Sequence, residues 1–334
     1  MSEQNKNAGA PFLDVKDLVV EYYSDGKVIH AVNGVNLTLE RGKTLGLVGE
    51  TGAGKTTIAK SILRILPDVG AKVAGGTITL DGQDLLDLPE HEMRKIRGNK
   101  ISMIFQDPMT ALNPVQTVGD QIAEAVRLHN GGNKGEAEER AEEMLKMVGI
   151  SADRYHEYPH QFSGGMKQRV VIAIALACNP DLLLADEPTT ALDVTIQAQV
   201  LDLIGELRKK YNTAMLLITH DMGVVAQVCD DVAVIYAGSI VEYGTKEQIF
   251  DHPTHPYTVG LFGAIPSMSE DEEWLHPIDG LPPDPTDLPE GCAFAPRCKY
   301  ATDACRKGPI AVYKTADGHD CRCCNIAKIA EQEG

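Results

Sequence analysis

The feature that most constrains the fold is the run Gly49-Glu50-Thr51-Gly52-Ala53-Gly54-Lys55-Thr56, which matches G-x-x-x-x-G-K-[ST] in full. It follows the strand-like segment TLGLV and precedes a helix-like segment, residues 56–66. The glycines allow successive backbone N–H groups to turn inward, and the helix N-terminus adds positive potential for an anion. In such a loop Lys55 supplies a charge to the β- and γ-phosphates, the Thr56 hydroxyl can bind Mg²⁺, and Thr57 continues the nucleotide site. The sequence therefore predicts a nucleotide-binding α/β fold.

A second chemical feature is the acidic pair Asp186-Glu187, which follows the apolar segment at residues 182–185. A strand there would deliver Asp186 to the edge of a sheet, where its carboxylate can hold Mg²⁺ through water. Glu187 comes next and is placed to accept a proton from an attacking water. An acidic pair after a strand is weak evidence alone, but together with a phosphate loop it predicts nucleotide hydrolysis.

Charge and hydropathy exclude several classes of protein. The chain has 31 Lys and Arg against 48 Asp and Glu, a formal net charge of −17. Because nucleic acid and anionic lipid are polyanions, such a surface predicts no nucleic-acid partner. We find no apolar run near the ~18 residues that a membrane-spanning helix needs, and no secretory signal in residues 1–12. We therefore expect a soluble cytoplasmic protein.

The pattern of apolar residues predicts three kinds of structure. Runs that alternate apolar and polar residues predict an antiparallel sheet with one wet face; they begin at Leu13, Val28 and Gly75. Continuously apolar runs predict buried parallel strands; they cover residues 45–48, 182–185 and 215–218. Helical periodicity predicts a compact helical insert; it covers residues 118–128 and 134–147.

A third motif, Phe162-Ser163-Gly164-Gly165-Met166, precedes a helix-like segment at residues 168–177. The Ser163 hydroxyl, the glycine N–H groups and the helix dipole form a second anion site that has no phosphate loop of its own. A simple Ser-Gly-Gly helix cap is the alternative. With this motif the chain resembles the ATP-binding cassette (ABC) ATPases, whose signature usually reads LSGGQ. Phe162 and Met166 depart from that pattern, but neither change removes the atoms that bind the anion.

The resemblance covers roughly residues 13–250 and implies further site residues. Gln106, at the end of the segment ISMIF, resembles the Q-loop residue that senses Mg²⁺ and the attacking water. Ala191-Leu192-Asp193 resembles the D-loop that crosses the dimer seam, and His220 matches the switch histidine that contacts the γ-phosphate. Tyr22 aligns with the aromatic residue that stacks on adenine, and Tyr23 is its rival.

The fold implied by the family is a P-loop NTPase cassette, with a RecA-like parallel core, an antiparallel β subdomain and a helical subdomain at about residues 107–165. Two such cassettes close around two ATP molecules. Each nucleotide then lies between the phosphate loop of one subunit and the signature of the other, where Ser163, Gly164 and Gly165 cap the γ-phosphate. Hydrolysis lets the dimer open.

The chain lacks the features of several classes of ABC ATPase. Only 56 residues separate Gln106 from Ser163, too few for the coiled-coil arm of a chromosome-type ATPase, and there is one cassette rather than the two of a ribosome-acting type. An exporter usually carries membrane helices in the same chain. The class that remains is the stand-alone ATPase subunit of an importer, and a non-transport ABC ATPase is the alternative.

Three segments resemble the dipeptide and oligopeptide importer ATPases in particular; they are IFQDPMTALNP from Ile104, HPTHPYT from His252, and GCAFAPRCKYATDAC from Gly291. Relatives that import nickel or another small solute share these features. The resemblance implies a heterodimer with a second ABC ATPase, two integral-membrane permeases and an extracytoplasmic solute-binding protein, at the cytoplasmic face of the membrane.

A change in composition near residue 265 predicts a cassette over residues 1–265 and a proline- and cysteine-rich extension over residues 266–334. Cys292, Cys298 and Cys305 are separated by five and six residues, and Cys323 follows after seventeen. Structural zinc normally uses a C-x(2–4)-C pair, which is absent at these positions. Four thiolates usually hold a [4Fe–4S] cluster, and the family resemblance implies one. A zinc site, or no bound metal, remains an alternative. Cys321 is the alternative to Cys323 as the fourth ligand. The role of the cluster is structural or redox-sensing.

Overall fold

The computed structural model describes residues 11–130, 133–189, 193–263 and 278–326. The predicted boundary near residue 265 and the D-loop residues Ala191 and Leu192 lie outside these ranges. The described residues form two compact units. The first comprises the described parts of residues 1–38, 45–86 and 219–334, and the second comprises those of residues 39–44 and 87–218.

The described strands are β1 (Leu13–Ser24), β2 (Lys27–Leu39), β3 (Thr44–Val48), β4 (Ala71–Leu80), β5 (Gln83–Asp84), β6 (Ile101–Ile104), β7 (Leu182–Asp186), β8 (Ala214–Thr219), β9 (Asp231–Tyr236), β10 (Ser239–Thr245), β11 (Tyr313–Lys314) and β12 (Asp320–Cys321). The described α-helices are α1 (Lys55–Leu63), α2 (Glu90–Ile96), α3 (Pro108–Ala111), α4 (Val118–Asn130), α5 (Lys134–Met147), α6 (Gly164–Leu176), α7 (Val194–Tyr211), α8 (Met222–Val228), α9 (Lys246–Asp251) and α10 (Pro256–Gly263). None of these helices is long and apolar enough to span a bilayer.

The first unit contains an antiparallel sheet of strand order β2-β1-β4-β5. Leu13 and Val15 of β1 are buried, whereas Lys16 is exposed, as expected for a sheet with one face on the core. This confirms the antiparallel subdomain that the alternating runs predict. The same unit contains β3 in parallel with β9, and β10 antiparallel to β9.

The second unit contains the parallel strands β6, β7 and β8, with β7 in the middle. All residues of these three strands are buried. Strands covered on both faces are expected to be apolar, and this is why the continuous apolar runs at residues 182–185 and 215–218 predict β7 and β8 correctly. These strands confirm the predicted parallel strands of an α/β fold.

The helical insert is present as α4 and α5, which pack against each other. Helix α5 has the predicted bounds because Asn133 and Glu136 form a reciprocal capping box at its start. Helix α4 extends to Asn130, two residues beyond the predicted end.

The C-terminal extension adds strands β12 and β11 to the edge of β10, a pairing that the sequence did not indicate. The His319 Nε2, beside β12, lies 2.8 Å from a carboxylate oxygen of Glu242 in β10. Both side chains are fully buried. Tyr236, Tyr257 and Phe294 form an aromatic cluster nearby, with ring centroids 4.6–5.4 Å apart. The described part of the extension is therefore held within the first unit through both strand pairing and a shared core.

Candidate nucleotide-binding site

The predicted phosphate loop joins β3 to α1, as the motif requires. Gly54, immediately before α1, has φ of 101°, a left-handed conformation that favours glycine. A Cβ at Gly54 would lie 2.3 Å from the Ala31 carbonyl oxygen, and a Cβ at Gly49 would lie 2.2 Å from that of Ile235. Both positions therefore require glycine, because the loop passes against neighbouring backbone at each.

Lys55 is buried at the start of α1, and its ammonium group lies inside the loop. Its Nζ donates hydrogen bonds to the carbonyl oxygens of Gly49 at 2.7 Å and Glu50 at 2.9 Å. Phosphate oxygens are stronger, charged acceptors for the same donors. The lysine is thus held by the loop at the place where the motif predicts a phosphate-binding charge.

Tyr22 and Tyr23 lie on opposite faces of β1, since side chains alternate along a strand. The Tyr22 hydroxyl is 3.3 Å from the Thr57 Oγ1 of α1, whereas the Tyr23 hydroxyl donates to Glu21 and its ring is 46% exposed. Of the two rivals, Tyr22 is the one that contacts the helix of the phosphate loop.

Within the second unit, Gln106 and Glu187 are brought together. The Gln106 Nε2 donates to the Glu187 Oε2 at 2.8 Å, although the two residues are 81 positions apart. Asp186 is buried at the end of β7, and Glu187 has φ of 47° with its N–H bonded to the Ile218 carbonyl. This backbone turns the Glu187 side chain out of the strand and towards the Gln106 amide.

Gln106 does not end its strand as predicted. β6 pairs with β7 only as far as Ile104, so Phe105 and Gln106 begin the loop and are exposed. The apolar character of Phe105 extended the predicted strand too far.

The contact made by Gln168, two residues after the signature motif, was not predicted. Its side chain is buried and its Nε2 donates to the Pro188 carbonyl, in the turn after Glu187. A buried glutamine among the apolar residues of α6 needs a polar partner, and this need was the available indication of the contact.

The signature residues begin α6. The Ser163 Oγ accepts a 3.4 Å hydrogen bond from the Met166 N–H and caps the helix. A Cβ on Gly165 would lie 2.8 Å from the Ile196 side chain, whereas a Cβ on Gly164 would meet no atom within 4 Å. Gly165 is therefore used for packing against α7, and Gly164 leaves the helix N-terminus open to an approaching group.

The two departures from the usual signature share one neighbour. The Arg154 guanidinium lies 4.1 Å from the centroid of the Phe162 ring, and its Nη1 is 3.3 Å from the Met166 sulfur. Stacking of a guanidinium on an aromatic ring is favourable and holds both side chains in place. The substituted side chains thus form a small cluster beside the Ser163 cap.

The remaining predicted residues lie at helix starts or strand ends. Asp193 caps α7 by accepting from the Ile196 N–H at 2.9 Å. His220 is exposed directly after β8, and the next residue, Asp221, caps α8 through the Gly223 and Val224 N–H groups.

Five cysteines of the extension line one cavity, namely Cys292, Cys298, Cys305, Cys323 and Cys324. Cys324 was not among the predicted ligands, and its sulfur lies 3.5 Å from that of Cys305. Cys321 does not line the cavity, because it is buried in β12 opposite Glu242. Burial raises the pKa of Cys292 and Cys298, and raises that of Cys323 to about 12.

In the parts of the chain that the structure describes, no group of three or more His, Cys, Asp or Glu side chains converges on a point that would hold one metal ion.

Comparison with known proteins agrees with this site. Residues 32–190 match the family described as ABC transporter, and residues 241–305 match the family described as oligopeptide/dipeptide transporter, C-terminal region. The oligopeptide transport ATP-binding protein OppD of Haemophilus influenzae is 52% identical over 301 residues, covering 90% of this chain and 93% of that protein. The dipeptide transport ATP-binding protein DppD of Bacillus subtilis is 50% identical over 313 residues, covering 93% of each.

Solved structures resemble the cassette portion. A dimeric ATP-binding cassette in a post-hydrolysis state, bound to ADP and Pi, superposes with a TM-score of 0.63 and 29% identity, covering 70% of this chain and 98% of that one. CbiO1 of Clostridium perfringens, part of an ABC transporter complex, gives a TM-score of 0.62 and 28% identity, covering 73% and 92%. The chain therefore belongs to the ABC transporter ATPases, in the group that carries the oligopeptide/dipeptide transporter C-terminal region.

Proposed function

We propose that this ABC ATPase is the motor subunit of an importer of dipeptides and oligopeptides, and that it acts on separate permease subunits at the cytoplasmic face of the membrane. The matched C-terminal region and the relatives named for oligopeptide and dipeptide transport support the peptide substrate. The observation that carries the ATPase activity is the 2.8 Å hydrogen bond between Gln106 and Glu187, directly after the buried Asp186.

Glu187 is the proposed general base for the attacking water, and Gln106 orients it. Because the Gln106 amide nitrogen donates to Glu187, its carbonyl oxygen is the atom offered to a cation. Gln106, Asp186 and Thr56 carry amide, carboxylate and hydroxyl oxygens, the kinds of donor that Mg²⁺ prefers. Mg²⁺ bound to ATP would neutralise charge on the phosphates, while Lys55 and the loop N–H groups hold them.

The second half of each ATP site is proposed to come from another ABC ATPase subunit. Ser163 and the open N-terminus beside Gly164 would cap the γ-phosphate held by the partner's loop. Asp193 would lie at the seam, His220 would contact the γ-phosphate, and Tyr22 would stack on adenine. Loss of the γ-phosphate removes the shared anion, so the pair opens and moves the permeases.

The cysteine cavity is proposed to hold a [4Fe–4S] cluster on Cys292, Cys298, Cys305 and Cys323. The fit rests on the donor set, since these four thiols line one cavity. Thiolates are the usual ligands of such clusters, which supply either cross-links or electron storage. Cys321 faces elsewhere, and the arrangement therefore favours Cys323 over it, with Cys324 as a further thiol at the cavity.

Transport in reconstituted vesicles tests the proposal. The chain is co-expressed with the permeases and the second ATPase, and uptake of a radiolabelled tripeptide is compared with uptake of Ni²⁺. We expect ATP-dependent tripeptide uptake that is lost in Glu187→Gln and retained in Glu206→Gln, an exposed glutamate of α7. Uptake of Ni²⁺ alone, or failure to co-purify with any permease, would refute the peptide-import assignment.

A further inference from the structure

Arg297 of the C-terminal extension contacts the phosphate loop at Glu50. Its Nη1 and Nη2 donate to the two carboxylate oxygens of Glu50, at 2.9 and 3.1 Å, across 247 positions of sequence. The Arg297 side chain is only 6% exposed. A two-pronged guanidinium–carboxylate contact of this kind fixes both position and orientation of the carboxylate.

Every N–H donor of Arg297 is used. Besides the bonds to Glu50, its Nε donates to the Asp279 carbonyl at 2.9 Å, its Nη2 to the Ile278 carbonyl and its Nη1 to the Tyr236 hydroxyl. The guanidinium has five N–H donors, and each has an acceptor here. Burial by itself lowers the pKa of Arg297, but the bonds to Glu50 and Tyr236 raise it above its usual range, so the side chain stays charged.

The main chain of Glu50 is held from the same side. Its N–H donates to the hydroxyl of the buried Tyr257 at 2.9 Å, and its carbonyl accepts from Lys55 Nζ. Tyr257 packs in the aromatic cluster with Tyr236 and Phe294, the latter from the extension. Glu50 is therefore tied to the extension on one side and to the phosphate-binding lysine on the other.

A carboxylate in the phosphate loop raises an electrostatic problem. ATP brings several negative charges to this loop, and an uncompensated carboxylate within it would weaken binding by roughly tenfold at the effective dielectric constant of a protein surface. Arg297 is the cation that contacts this carboxylate on both oxygens.

We propose that Arg297 is a positioning residue of the nucleotide site: it neutralises and orients Glu50, so that the C-terminal extension completes the phosphate loop of its own chain. The extension is then needed for nucleotide affinity, apart from any contribution to stability. This inference depends on ATP binding and not on the transported solute or on the cysteine cavity.

A double-mutant cycle on the full-length chain tests the inference. Affinity for the non-hydrolysable analogue AMP-PNP with Mg²⁺ is measured by calorimetry for the wild type, Arg297→Ala, Glu50→Gln and the double variant. We expect Arg297→Ala to weaken binding about tenfold in the wild-type background and by less than about twofold in the Glu50→Gln background, because the charge to be neutralised is then absent. In the assembled ATPase, KM for ATP should rise while kcat changes little.

Arg306→Ala is the matched control, since Arg306 is an exposed arginine of the same extension, and it should bind the analogue as the wild type does. A loss of equal size in both Glu50 backgrounds would show a merely structural role and overturn the inference, as would no loss in either. Should Arg297→Ala not fold, Arg297→Gln replaces it under the same criterion, because glutamine keeps much of the side-chain volume and removes the charge.

Discussion

The Gln106 amide donates a 2.8 Å hydrogen bond to the Glu187 carboxylate, and this contact joins the loop after β6 to the loop after β7. Parallel neighbouring strands end at the same edge of a sheet, so residues 81 positions apart meet there. Glu187 is placed next to the buried Asp186, and the left-handed backbone at Glu187 separates the directions of the two side chains. One carboxylate can therefore serve a cation while the other serves the water.

The first prediction concerns Glu187. Glu187→Gln keeps the shape and a hydrogen bond to Gln106 but removes the proton acceptor, so ATP hydrolysis should fall by about 10²–10⁴-fold. Binding of Mg-ATP should stay within a few fold of the wild type. Phosphate release and nucleotide binding are measured on the same preparations, with Glu206→Gln as control. Hydrolysis above a tenth of the wild-type rate would remove Glu187 from the role of base.

The second prediction concerns the cysteine cavity. In protein purified without oxygen, Cys298→Ser should abolish visible absorbance and bound iron, because it removes one of the cavity thiols. Cys178→Ser, a buried cysteine of the second unit, should retain both, and so should Cys321→Ser, which lies outside the cavity. Iron analysis and absorbance spectra are compared. Retention of full colour and iron in Cys298→Ser would eliminate Cys298 as a ligand.

The third prediction concerns Glu242, the buried acceptor that holds the extension to β10. Its carboxylate accepts from the Thr254 N–H at 2.6 Å and the His255 N–H at 3.0 Å, and it contacts His319. Glu242→Ala leaves these groups without their buried acceptor, so the free energy of unfolding should fall by about 3–5 kcal/mol. Urea unfolding measures it.

Glu247→Ala provides the control, since Glu247 is an exposed residue of the neighbouring α9. We expect a change within about 0.5 kcal/mol for it. If Glu242→Ala were equally mild, the buried pair with His319 would contribute nothing measurable to the attachment of the extension.

Features set by local sequence were predictable. Helix α5 begins and ends as predicted because its capping residues, Asn133 and Glu136, are at most four positions from its first buried residue, Ala137. Strand β7 is recognisable because both its faces are buried. The phosphate loop was predicted in full because its glycines and lysine act within eight residues. Glu187 was predicted from its place after an apolar strand and Gln106 from the family resemblance, but the hydrogen bond between them was not predicted.

Features set by long-range packing were not predictable. Strands β11 and β12 have two residues each, too few for any periodicity, and they exist because β10 offers an edge. The Arg297–Glu50 pair spans 247 positions, and neither residue type indicates the other. Cys324 was not predicted as a cavity residue, because spacing alone does not show which of the clustered Cys321, Cys323 and Cys324 face the cavity.

Light scattering during size-exclusion chromatography measures the association of this chain with its partner ATPase. We expect ATP to join the phosphate loop of one subunit to the signature motif of the other. Glu187→Gln chains with Mg-ATP should form a stable pair that dissociates when nucleotide is removed, and Ser163→Arg should prevent the pair while leaving ATP binding intact. Chains that stay apart in Mg-ATP, or associate equally without it, would contradict the account.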